Sequence, residues 1–506
     1  MSAVSEGVKK NVVRGLDRRA LLTAVPGLVL YGESAWAAAR RSARHQRQAP
    51  KYWDATLTDV QRRTFDFFWH ATDAKTGLAP DRWPSNQYCS IAAVGFALTA
   101  YCIGVHRGFV SRSEAAERTL TTLRTFWNGR QGDAKTGCIG NKGFFYHFLD
   151  FKDGNRFANC ELSNVDSTMF FLGALTAAAF FNRKTPVETE IRAHAYALYE
   201  RADWTFFEQA NGVLSMGWDP ETGFNRTTWN GYDEGMMIYL LAMASPKYPL
   251  SPESWAYWCA TYDLSWGTNF GDPHLGFGPM MGHQYTEVWY DLQHIVDPYM
   301  RSHHSDYFEN SRIATVAQRN YAIANPKKFA DYGPNIWGLT ACDGPGDVTL
   351  KIDGREIQFH SYSARGPSQD DDEGVLDDGT IAPTAAISSV VFAPEICIQA
   401  TKAMLAKYGS DIYGKYGFYD SFNPTFRGDY QSPYGRQTPR AGWVSNDYLG
   451  IDQGPILAML ENYRSGFVWK LLKDDPYTGA IIRRGLLHAG FEPLESDGKW
   501  LVAGAK

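Results

Sequence analysis

From about residue 57 onward, apolar side chains recur at i, i+3, i+4 and i+7 in one segment after another, while sustained alternation is scarce. That period lays apolar residues along one stripe of a helix, so the chain reads as a succession of helices. The pattern predicts them near 57–71, 88–106, 112–128, 162–182, 187–210, 232–244, 251–265, 285–300, 305–325, 384–393, 395–407, 453–472 and 476–489. Two kinds alternate. Segments 88–106, 162–182, 232–244 and 384–393 are apolar on nearly every side and rich in Ala and Gly, the mark of a buried helix; 112–128, 187–210 and 305–325 keep a charged stripe for water. About six outer–inner alternations are what an all-α (α/α)6 barrel requires, six inner helices each paired with an outer one as an αα-hairpin. One interruption stands out: Val348 to Ile352, followed by "GREIQFH", predicts a small β-hairpin excursion near 347–360 that turns at Asp353-Gly354. An acidic, Gly-rich loop follows over 361–380, and no linker divides residues 56–500, which read as a single domain.

In such a barrel the inner helices run the same way, so the loops that open them gather at one end. Those loops read "GLAPDRWPSNQYCS", "RFANCELSNVDST", "FNRTTWNGYDEG", "GPMMGHQYTEVWYD", "DDGTIAPTAA" and "WVSNDYLGIDQGP". They hold Trp83, Trp229, Trp443, Tyr285 and Tyr448 together with Asp81, Arg82, Glu161, Asp166, Asp233, Glu234, Glu287, Asp378, Asp447 and Asp452. Turns at the other end, such as "VHRGFVSRSE", are short and ordinary. The asymmetry predicts a polar, aromatic cleft at one end.

Composition narrows what the cleft takes. A net charge of −5 and a pI near 6.2 argue against nucleic acid, which is met with a basic face. With 16 Trp, 28 Tyr and 29 Phe in 506 residues, flat apolar faces are plentiful enough to stack sugar rings as well as to fill a core. Seven cysteines are dispersed without a C-x-x-C pair, which reads as buried thiols rather than a zinc site or disulfide framework. The N-terminus, "RGLDRRALLTAVPGLVLYGESAWAAA", carries Arg18-Arg19, a short apolar run and a small-x-small site at Ala35-Trp36-Ala37. That order is an export signal of the twin-arginine kind over 1–37, followed by a linker over 38–55, and predicts a periplasmic or secreted protein with no membrane association after signal removal.

Paired carboxyl groups are the candidate chemistry. Glycosidic bond cleavage commonly uses one as general acid and one as base or nucleophile, the acid keeping its proton near neutral pH through burial or a like charge. In "WNGYDEGMM" one acid, Asp233, suffices to cap a helix, so Glu234 beside it is surplus to capping and at least one of the pair is a candidate for catalysis or substrate binding. Glu161 in "NCELSNVDST" and Asp166 one turn later are further candidates, although Asp166 could instead pair with an arginine such as Arg156. Glu287 and Asp291 share a helical face, with His283 nearby, but nothing resembles a metal-binding H-E-x-x-H. Asp452 opens the last inner helix, where it could equally be a cap.

The stretches "TGLAPDRWP", "ELSNVDSTMFFLGALTAA", "WNGYDEGMMIYLLAMASPKYPL", "GHQYTEVWYDL", "IWGLTACDGP", "DDGTIAPTAAISSVVFAPE" and "YLGIDQGPILAMLENYRSGFVW" occur in order between about 60 and 470. Together they resemble the bacterial glucoamylase-like proteins that include the endo-β-1,2-glucanases and, more distantly, the transglycosylase domain of cyclic β-1,2-glucan synthases. The resemblance implies an (α/α)6 barrel that hydrolyses β-1,2-linked glucan with two acids, inverting the anomeric centre, and with no metal or cofactor. It implies Glu234 as general acid and Glu161 as second carboxylate. The loops supply the remaining expected substrate contacts: Asp166, Asp233, Trp229, Tyr232, Arg82, Trp83, His283, Gln284, Tyr285, Glu287, Trp443 and Asp452. The expected partner is an oligo- or polysaccharide, and the expected state a monomer. Rival readings are a retaining transglycosylase, a sugar epimerase or lyase working through His283 or Tyr285, and a non-catalytic glycan-binding protein.

Overall fold

The computed structural model describes residues 50–85, 87–367 and 376–493. The predicted export signal, most of the linker and part of the acidic loop lie outside the described residues. Within them the protein is helical with small sheets. Six helices are buried along almost their whole length: α1 (Ile91–His106), α2 (Asn164–Phe180), α3 (Met236–Met243), α4 (Met281–Trp289), α5 (Pro383–Ile387) and α6 (Gly450–Ser465). Contacts run from α1 to α2, α3 and α4 in turn. The Gln284 amide then bonds the Ala385 carbonyl at 2.9 Å and Ser389 Oγ at 2.8 Å, tying α4 to α5. From α5 they continue through α6 back to α1, so the circuit closes.

Small residues make this approach feasible. A Cβ on Gly95 of α1 would sit 2.3 Å from the Met169 carbonyl oxygen of α2, and one on Gly173 of α2 would sit 2.1 Å from the Gly95 carbonyl oxygen. Neither position can carry a side chain unless the two backbones separate. Helices Ala55–Ala71, Arg112–Asn128, Pro186–Glu200, Tyr307–Ala324 and Pro394–Ile412 turn one face inward and charged residues to water. Local chemistry sets their ends. Ser111 and Glu114 form a reciprocal capping box, and Asn325 closes Tyr307–Ala324 at φ 43°.

Several elements differ from the periodicity. Segment 232–244 is helical only over Met236–Met243, because Gly231 (φ 89°) to Gly235 turn as a loop. Segment 453–472 breaks at Gly466, left-handed at φ 63°, into α6 and Phe467–Asp474. The stretch 251–265 is three short helical pieces, and 187–210 stops at Glu200. The connecting loops also pair into strands of two to five residues, the largest sheet joining Gly140–Asn141, Phe144–Tyr146, Leu162–Ser163, Gly217–Asp219 and Gly223–Phe224. Such short pieces leave no alternation to read. The hairpin is present as Val348–Ile352 against Arg355–Phe359, turning through Asp353 (φ 50°) and Gly354 (φ 80°). Its inner face packs with Phe329, Phe426 and Trp443. Trp443 is therefore a core residue with no exposed surface, not the sugar platform its loop position suggested.

Candidate active site

Cross-loop pairing assembles the end from which the buried helices start. Arg82–Trp83, before α1, pairs antiparallel with Tyr448–Leu449, before α6, and the Gly450 amide donates to the Asp81 carbonyl at 2.7 Å. Trp229 Nε1, before α3, donates to Asn164 Oδ1 of α2 at 2.8 Å. Tyr285 of α4 donates to the Ile451 carbonyl of α6 at 3.2 Å.

Two groups of acids converge here. In the first, the Asp233 carboxylate accepts the Gly235 amide at 2.7 Å and shapes the turn into α3. Glu234 beside it plays no such part, for its Oε2 is buried and has no hydrogen-bond partner. Burial, followed by the charge of Asp166, pushes the Glu234 carboxyl up to about 7, so it keeps a proton near neutral pH. The same group holds Glu161 and Asp166, joined by His147. Glu161 Oε1 lies 2.7 Å from His147 Nδ1, and Asp166 Oδ1 lies 3.5 Å from His147 Nε2. Burial raises both acids. For Glu161 the bond and charge of His147 outweigh it and hold the carboxylate below its ordinary range; for the more deeply buried Asp166 they do not.

The second group surrounds one cation. Arg82 Nη1 donates to Asp343 Oδ2 at 3.0 Å, its Nε donates to Asp81 Oδ2 at 3.3 Å, and Asp447 Oδ2 lies 3.9 Å away. Behind them Asp420 accepts the Asp343 amide at 2.8 Å, and burial, then the charge of Asp420, holds the Asp452 carboxyl well above the usual carboxylate range. Burial, then the charge of Asp420, pushes Asp343 up to about 7. Tyr285 lies between the two groups in charge as well as in position: burial, then the charges of Asp452, Glu234 and Asp166, raises its hydroxyl. Tyr362 adds an aromatic ring that is 45% exposed while its hydroxyl lies in the field of Asp452, Asp420 and Asp81. These acids and part-exposed aromatic rings make this end the candidate site.

Other expected contacts turn away from it. Glu287 is 2% exposed and accepts Ser311 Oγ at 2.9 Å, and the Tyr232 ring stacks 6.0 Å from Tyr307 and 5.0 Å from the His283 ring. Tyr232, His283 and Glu287 thus form a polar cluster packed between α4 and Tyr307–Ala324. Gln284 is spent on the α4–α5 link. His283 is buried with Nε2 3.3 Å from the Phe277 carbonyl, and burial holds its imidazole down at about 3. Trp229 is 6% exposed and supports the loop by its bond to Asn164, whereas Trp83 remains half-buried beside Arg82. Arg156 pairs with Glu221 at 2.9 Å, not with Asp166. A cavity of about 350 Å³ lined by His106, Lys470 and Asp475 lies at the opposite end, past the C-termini of α1 and α6.

Sequence reasoning missed His147, Asp343, Asp420 and Tyr362. "IWGLTACDGP" carried a signal for Asp343; His147 stands in "FFYHFLD", where nothing distinguishes it from a structural histidine.

Comparison with known proteins fits this geometry. Residues 226–476 match the family described as "Putative glucoamylase". A solved structure of the same description from Bacteroides uniformis is 30% identical, covering 87% of this chain and 97% of that one with a TM-score of 0.72. The endo-β-1,2-glucanase from Chitinophaga pinensis, solved with sophorotriose and glucose, is 26% identical over 87% of this chain and 98% of that one, with a TM-score of 0.71. The exo-β-1,2-glucooligosaccharide sophorohydrolase (non-reducing end) of Parabacteroides distasonis is 28% identical over 457 residues. That alignment spans 84% of this chain but only 57% of the relative, so the chain matches little more than half of that protein's length.

Proposed function

This chain belongs to the glucoamylase-like family, and we propose that within it the protein is a glycoside hydrolase that cleaves β-1,2-linked glucan. The closed circuit of α1–α6 with charged helices outside supports reading the fold as an (α/α)6 barrel with the cleft at its N-terminal mouth. One observation carries the chemistry: two acids at this end are held in opposite directions, Glu234 raised to about 7 with a buried, unpartnered Oε2, and Glu161 half-exposed and held low by its bond to His147. Two carboxyl groups with opposite protonation states are what acid-and-base hydrolysis of a glycoside needs. Glu234 gives its proton to the departing glycosidic oxygen. Glu161 takes a proton from the attacking water, which inverts the anomeric centre. The names of the relatives supply the linkage.

Retention with transfer to a second sugar is the alternative in the same cleft. The epimerase or lyase reading through His283 loses its support, since that ring is buried and bonded toward the Phe277 carbonyl at 3.3 Å. Export by the twin-arginine route, and action in the periplasm or outside the cell, is part of the same reading, resting on Arg18-Arg19 and Ala35-Trp36-Ala37. The test is incubation with linear β-1,2-glucan beside β-1,3- and α-1,4-glucans, followed by product separation. New reducing ends from the β-1,2 polymer alone support the proposal; none from any polymer overturns it.

A further inference from the structure

His147 has no part in the reaction just described, yet it lies between both acids on the base side of the cleft. We infer that His147 is a positioning residue: an imidazolium shared by Glu161 and Asp166, which makes Glu161 the working carboxylate and Asp166 its buried anchor. This rests on the hydrolase reading above and adds to it the reason one of two neighbouring acids does the work.

The geometry is specific. This ring bonds Glu161 through Nδ1 at 2.7 Å and holds Nε2 3.5 Å from Asp166 at ion-pair distance, so a carboxylate stands at each ring nitrogen, an arrangement that suits the doubly protonated ring. Glu161, Asp166 and Asp81 are the charged groups that act on it; burial disfavours the cation, and the three carboxylates outweigh burial, carrying the imidazolium up to about 9. The ring cannot swing away, since it lies flat on Phe148 with 3.8 Å between centroids and 18° between planes. Its backbone amide also donates to the Glu161 carbonyl at 2.9 Å.

Both acids are themselves fixed. Asp166 receives the Ser163 hydroxyl at 2.5 Å. The peptide before Glu161 is clamped by Arg156, whose Nε donates to the Cys160 carbonyl at 2.7 Å while its two terminal nitrogens hold Glu221 at 3.0 and 2.9 Å. Gly217 leaves room for the side chain, because a Cβ there would meet Glu161 Cγ at 2.8 Å. Asp166 is 6% exposed while the Glu161 side chain is 39% exposed, so only Glu161 reaches a water in the cleft. His147 keeps its proton throughout and fixes the charge and aim of Glu161.

Two readouts test this on the full chain. Selective nitrogen labelling of histidine followed by NMR reports the ring directly: the expected His147 signal shows both nitrogens protonated at neutral pH, and Glu161→Gln and Asp166→Asn each bring its titration down. A His147 signal that is singly protonated at neutral pH in the wild-type protein overturns the inference. The second readout is the acid limb of kcat/KM on linear β-1,2-glucan. An opposite charge at this range lowers a carboxyl by about 1–3 pH units, so His147→Gln, a neutral donor, moves the acid limb upward by a shift of that order and lowers kcat with little change in KM. An unmoved acid limb overturns the inference. If the wild-type protein cleaves no β-1,2-glucan, the proposed function falls while the NMR titration still decides the state of His147.

Discussion

Two glutamates at opposite ends of the helix circuit, one fully buried and one partly so, show what separates structure from chemistry in this protein. Glu461, near the C-terminus of α6, is fully buried and saturated: Arg107 grips both oxygens, Gln61 donates to Oε2 at 2.9 Å and Ser465 to Oε1 at 2.5 Å. Glu234, just before α3, has a buried oxygen with no donor and holds a proton up to about 7. Both sit where a bare charge would be costly. At one end neighbours neutralise the charge; at the other the carboxyl stays uncharged until a reaction needs its proton. A carboxyl in use for binding its neighbours cannot also donate to a substrate, and Glu234 Oε2 has no such neighbour where both oxygens of Glu461 are taken.

The contrast breaks first at Glu234. Substituting Glu234→Gln removes a general acid and lowers kcat on β-1,2-glucan by roughly 10²–10⁴ while the fold persists, checked by kinetics beside circular dichroism. Substituting Glu461→Ala does the reverse. It strands Arg107 in a buried site and destabilises by roughly 3–5 kcal/mol in urea unfolding, with activity per folded molecule unchanged. Between the two ends, Gly95→Ala forces a methyl onto the Met169 carbonyl and costs about 1–3 kcal/mol by the same unfolding measurement.

A further expected effect is on the pH dependence of stability. Folded Glu234 holds its proton up to about 7, against 4.5 for the free carboxyl, so the native state binds more protons in between. Its contribution to stability is therefore complete below about 4.5 and lost as pH rises through about 7. Melting temperatures of Glu234→Gln relative to wild type should rise on moving from acid to mildly alkaline buffer; a constant difference would mean that Glu234 titrates normally.

The sequence was most legible where burial is uniform. Helices apolar on every side, such as 164–180, announce themselves, and so do the Asp353-Gly354 turn and an acid beyond what capping requires at Glu234. The same uniformity hid direction. A helix buried all round does not say which face looks into a cleft, so Tyr232, His283, Gln284 and Glu287 read as site residues although packing consumes them. Trp443 read as a platform because hydrophobic pattern cannot separate a cleft wall from a hairpin core. Asp420 and Tyr362 were invisible for another reason: they come to this end with loops far apart in sequence, as Arg82–Trp83 meets Tyr448–Leu449. No local spacing encodes those pairings.

The central claim is that Glu234 carries the reacting proton, and the pH dependence of kcat/KM on linear β-1,2-glucan tests it most directly. The expected profile has an alkaline limb with its midpoint near 7, set by loss of the Glu234 proton, and no such limb in the residual activity of Glu234→Gln. A rate that stays level well above that pH, or a Glu234→Gln variant with the wild-type profile, would contradict it.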